Sequence, residues 1–67
     1  MSRITWNKSD INQVTGFVQS DVSNYYGGAA VWKDDGRCFM GIENWDGWHG
    51  EAISAEFYAA FVAEWSA

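Results

Sequence analysis

The sequence predicts an α+β domain in which a three-stranded antiparallel meander lies between an N-terminal and a C-terminal helix, αβββα in chain order. Three observations carry this reading. Apolar residues recur at helical spacing from Ile11 to Tyr25, Asp-Gly pairs separate apolar runs at Asp35-Gly36 and Asp46-Gly47, and a second helical stripe follows Ser54. Sixty-seven residues leave room for one core, so residues 1–67 read as a single domain, and separate cofactor and substrate lobes are excluded.

In the first element, Ser9 is placed to cap a helix whose Ile11, Val14, Val18, Val22 and Tyr25 share one stripe, and Gly27-Gly28 ends it. Gly16 weakens this helix by about 1 kcal/mol relative to Ala. Phe17 sits off the stripe, either covered by a neighbouring segment or exposed as an anchor. Next, the run from Ala29 to Asp34 meets Arg37 to Trp45 across Asp35-Gly36, a pair suited to a two-residue hairpin turn because both turn positions need positive φ. This closure sets Asp34 opposite Arg37, Lys33 opposite Cys38, Trp32 opposite Phe39 and Val31 opposite Met40.

Asp46-Gly47 turns the chain again and returns His49 to Ile53 as the third strand, with Glu51 beside Ile42. Period-2 alternation then gathers Val31, Cys38, Met40, Ile42 and Ile53 on one face and Trp32, Phe39, Glu43, Trp45 and Trp48 on the other. Ser54 caps the last helix, with Ile53 and Tyr58 as a hydrophobic staple and Phe57, Tyr58, Phe61, Val62 and Trp65 on its inner stripe. Both helices are expected against the aliphatic face, and Arg3 to Trp6 is expected to add an edge strand. The aromatic face has two readings, a protein interface or a second small core under the N-terminal segment.

Chemistry is thin. One Cys and one His provide neither a disulfide nor a Cys/His zinc cluster, and the acids do not follow the spacing of a calcium loop. No cofactor, metal or catalytic residue is therefore assigned. His49 reads as polar loop surface, Cys38 as a small buried hydrophobe. No apolar run is long enough for a membrane span, and no secretory signal opens the chain, so a cytoplasmic protein is expected.

Charge is the more informative bound. The net charge is −5, with Arg3, Lys8 and Lys33 against Asp10 and Asp21 up to residue 33, then seven acids against Arg37 alone. This balance argues against direct contact with nucleic acid or anionic lipid. Carboxylates and large rings instead suit a basic protein surface, which fixes the expected contacts as Asp34, Asp35, Glu43, Trp45, Asp46, Trp48, Glu51, Glu56 and Glu64. Asp34 is also within reach of neutralisation by Arg37. The other class of function is a small ligand- or carbohydrate-binding module that stacks its Trp and Tyr rings on a flat ligand. A monomer and a homodimer both fit a chain of this size.

A short acidic chain without an enzyme motif, carrying a Trp45-Asp46-Gly47-Trp48 turn amid scattered carboxylates, resembles the small phage-encoded anti-CRISPR proteins, particularly inhibitors of type I Cascade. The resemblance lies in the overall profile and assigns no individual residue. It implies stoichiometric binding to a Cascade subunit in the bacterial cytoplasm and blockage of target DNA binding without catalysis, in some such proteins by mimicry of nucleic-acid charge.

Overall fold

Why residues 15–24 leave the helix is the key to the fold. Val14, Val18 and Val22 are spaced by four, which satisfies one helical stripe and equally one face of a strand, since an even spacing returns to the same side in both. Between them lie Thr15, Ser20 and Asp21, residues that stabilise helices poorly, and Gly16, whose φ of 62° is left-handed. Long-range pairing then decides the matter in favour of a strand. The computed structural model describes residues 4–24 and 27–66. It contains β1 (Ile4–Trp6), a 3-10 turn (Asp10–Gln13), β2 (Thr15–Asn24), β3 (Gly27–Asp34), β4 (Arg37–Asn44), β5 (Gly47–Ile53) and α1 (Ala55–Trp65).

The strands form one antiparallel sheet in the order β1-β5-β4-β3-β2. The expected αβββα meander is thus corrected to a mostly β protein with five strands and one helix. The N-terminal helix is replaced by the 3-10 turn and β2. Ser9 makes no side-chain cap; the turn is closed by Asn7, whose Oδ1 accepts from the Ser9 and Asp10 amides at 2.9 and 2.7 Å. Arg3 and Tyr25, assigned to the edge strand and to the first helix from sequence, lie outside the described residues.

The β3–β4 hairpin follows its sequence register, with Val31 on Met40, Trp32 on Phe39, Lys33 on Cys38 and Asp34 on Arg37. Its turn holds Asp35 and Gly36 at φ 53° and 76°, as the two-residue geometry demands. The next turn differs. Trp45 and Asp46 occupy it, Asn44 pairs with Gly47, and Glu51 consequently lies opposite Met40 rather than Ile42. Gly47 is held in the strand because β1 crosses it so closely that a Cβ there would collide with the Trp6 carbonyl oxygen.

Alternation sorts the two faces. Trp6, Ala30, Trp32, Phe39 and Trp48 form the buried cluster on one of them, and Ile11 and Val14 of the crossing segment between β1 and β2 pack over it. The rings meet mostly edge to face: Trp6 and Trp32 at 5.1 Å, Trp6 and Phe39 at 5.0 Å, Trp32 and Trp48 at 5.6 Å between centroids. Trp32 lies over the Gly41–Gly50 pair, where a Cβ on Gly41 would strike the indole and one on Gly50 would stand 3.2 Å from it. Phe17 stacks on Trp32 at 6.1 Å and meets the edge of Trp48 at 5.3 Å while staying 40% exposed.

Helix α1 takes the opposite face alone and packs on β2, β3 and β4. Ser54 caps it as the sequence implies, its Oγ accepting from the Phe57 amide at 3.0 Å. Tyr58 donates its hydroxyl to the Gly16 carbonyl at 2.6 Å and carries the Lys33 ammonium over its ring at 5.0 Å, which anchors the helix near the Asp35-Gly36 end of the sheet. Among the described residues no helix is long and apolar enough to cross a membrane.

Candidate functional site

The residues expected at a partner surface fall into four places. At the β3–β4 turn, Asp35 is exposed, while Asp34 is half-buried and accepts the Trp6 indole N–H at 3.1 Å. Arg37 does not neutralise Asp34 through an ion pair. Its guanidinium lies over the Phe39 ring at 5.4 Å. At the other end of β4, Glu43 pairs with Lys8 at 3.6 Å, and Trp45 stands 73% exposed on the turn.

Asp46 shares that turn and bonds His49 Nε2 at 2.9 Å. An ionised carboxylate only accepts, so the imidazole proton resides on Nε2 and leaves Nδ1 to accept the Thr5 hydroxyl at 3.3 Å. The hydrogen bond from His49 is the main cause that holds the Asp46 carboxyl below its ordinary value. Thr5, His49 and Asp46 thereby latch β1 to β5 and to the following turn. A hydroxyl, an imidazole and a carboxylate in sequence is also the order of a nucleophilic site, but here Thr5 sits exposed on the edge strand and its bond is long.

Glu51 is exposed on the face that carries α1, whereas Glu56 and Glu64 are exposed on the helix itself. The seven carboxylates therefore do not line one flank: Asp34 and Asp35 sit at one end of the sheet, Glu43 and Asp46 at the other, and Glu51, Glu56 and Glu64 on the helix side. Trp48 is corrected from a surface contact to a core residue, 4% exposed, because its side of β5 faces Trp6, Trp32 and Phe17 rather than solvent.

Sequence reasoning missed a second surface. An eleven-residue helix is about 16 Å long, while five strands span roughly 19 Å across and each residue of a strand adds about 3.3 Å along it. One helix cannot cover that face, and once only α1 occupies it, the half nearer the Trp45-Asp46 turn is left open. There Ile42, on a central strand, is 55% exposed, and a groove of about 270 Å³ runs between β4 and β5. Its lining is Met40, Gly41, Ile42, His49, Gly50 and Glu51. The signal available from sequence was helix length against sheet area.

No protein-family model matches this chain. No curated protein and no solved structure matches it either, so the reading of its function rests on the geometry above. Among the described residues, no group of three or more His, Cys, Asp or Glu is arranged to hold a metal ion.

Proposed function

We propose that this chain is a stoichiometric, non-catalytic inhibitor that binds a basic, nucleic-acid-handling protein in the bacterial cytoplasm, in the manner of the anti-CRISPR proteins that act on type I Cascade. One observation carries the reading. The described cations are committed within the molecule, Lys8 to Glu43, Lys33 to the Tyr58 ring and Arg37 to the Phe39 ring. Asp35, Glu51, Glu56 and Glu64 stay exposed, and none of them enters an ion pair among the described residues. Such a surface attracts Lys and Arg on a partner and speeds their encounter.

Trp45 supplies a large exposed ring on the turn that also carries Asp46. The carbohydrate-module reading has lost its main groups, since Trp32, Phe39 and Trp48 are all buried. The test is a mobility-shift assay of target DNA with purified type I Cascade. An equimolar amount of the protein should abolish the shift, and the combined Glu51→Lys, Glu56→Lys and Glu64→Lys variant should need at least about tenfold more. Full DNA binding in the presence of excess wild-type protein overturns the proposal.

A further inference from the structure

We infer that the open half of the helix-bearing sheet face is the docking site, and that its occupant is a protein segment presenting a Lys or Arg beside an apolar side chain. The inference deepens the proposed function and rests on it only for the identity of the partner. Ile42 exposes more than half of its surface at a position on a central strand that the rest of this face would lead one to expect covered, since Val31, on the neighbouring strand, is fully buried. The groove beside it has an apolar wall of Met40 and Ile42, with glycine backbone at Gly41 and Gly50 along its length.

The opposite wall is polar. Glu51, directly across from Met40, ends the groove in an exposed carboxylate that enters no ion pair or hydrogen bond with another described residue. His49 stands across from Ile42 with its Nε2 proton committed to Asp46, which keeps that wall from presenting a competing donor. An apolar wall facing a carboxylate that is unpaired among the described residues is complementary to a side chain with an aliphatic stem and a cationic head. The same carboxylate disfavours a second copy of this chain, because two copies facing through Ile42 would bring their Glu51 residues into one desolvated interface.

The test uses the folded, isotope-labelled protein and a capped Leu-Arg-Leu-Arg-Leu peptide, with its Leu-Glu-Leu-Glu-Leu counterpart as control. Amide resonances of residues 40–42 and 49–51 should move in the first titration and stay still in the second. Glu51→Lys and Ile42→Gln should each weaken binding at least about tenfold, while thermal unfolding confirms that both variants fold. Absent shifts, equal shifts with both peptides, or shifts spread over Asp35, Glu56 and Glu64 would overturn the inference. So would concentration-dependent dimerisation abolished by Ile42→Gln, which assigns the face to self-association. Failure here is separable from failure of the inhibitor reading: Cascade inhibition retained by the Ile42→Gln and Glu51→Lys variants sinks only the docking site, and peptide binding without Cascade inhibition sinks only the function.

Discussion

Adding one methyl group at Gly41 tests whether the aromatic core rests on bare backbone. A Cβ on Gly41 would strike the outer carbon of the Trp32 indole and stand 2.7 Å from the His49 carbonyl oxygen. Neither neighbour has room to retreat. Trp32 is fully buried with Trp6 and Trp48 at 5.1 and 5.6 Å, and the carbonyl belongs to the strand paired with Gly41. Overpacking of this kind costs about 1–3 kcal/mol. Loss of glycine freedom in the unfolded chain returns about 0.4–1 kcal/mol. The net destabilisation of Gly41→Ala is then roughly 1–2 kcal/mol, a fall in Tm of about 4–16 °C for a domain of this size.

Thermal unfolding followed by tryptophan fluorescence measures it, with Gly36→Ala for comparison. Gly36 has nothing within 4 Å of its Cβ position but a φ of 76°, so its substitution strains the turn and leaves the indole environment intact. The reasoning is refuted if Gly41→Ala unfolds at or above the wild-type temperature, or if its folded-state fluorescence matches that of Gly36→Ala.

Other outcomes follow from the same geometry. Trp48→Ala should cost about 3–5 kcal/mol in chemical denaturation, and Trp45→Ala, 73% exposed on the turn, should cost clearly less. Ser54→Ala removes the acceptor for the Phe57 amide and should destabilise by about 0.5–2 kcal/mol, with helical circular dichroism melting earlier. Because the folded Asp46 carboxyl lies below its ordinary value of 3.8, its contribution is complete above that value and is lost as pH falls through the lower folded one. Acid unfolding curves should therefore show a component below pH 3.8 that His49→Ala removes, and identical curves for the two proteins would contradict the assignment.

What the sequence made legible was local. Asp35 and Gly36 both require positive φ, so the β3–β4 register followed from two residues, and Ser54 with the Phe57 to Trp65 stripe located α1. The edge strand at Ile4–Trp6 was legible, but the segment from Ser9 to Asn24 was not, since Val14, Val18 and Val22 obey both periods and only the distant partners Val31 and Lys33 select the strand. Alternation correctly placed Trp32, Phe39 and Trp48 on one side of the sheet, but side does not say what covers it. Trp6, from the expected edge strand, and Ile11 and Val14, from the segment misread as a helix, decide between the two readings of Trp32, Phe39 and Trp48 in favour of a small core under the N-terminal segment. The groove beside Ile42 was hidden for the complementary reason, a cover assumed where none exists.

Strand β1 sits at the edge of the sheet and pairs with β5, more than forty residues further along the chain. Trp6 reaches its place only by pairing with Trp48 and hydrogen-bonding Asp34, so during synthesis it must wait, exposed, until β5 has left the ribosome. The β3–β4–β5 ribbon, joined by two-residue turns, pairs only sequence neighbours and has no such delay. A nascent chain stalled before β5 emerges would consequently lack its pairing partner for β1 and offer chaperones a free indole.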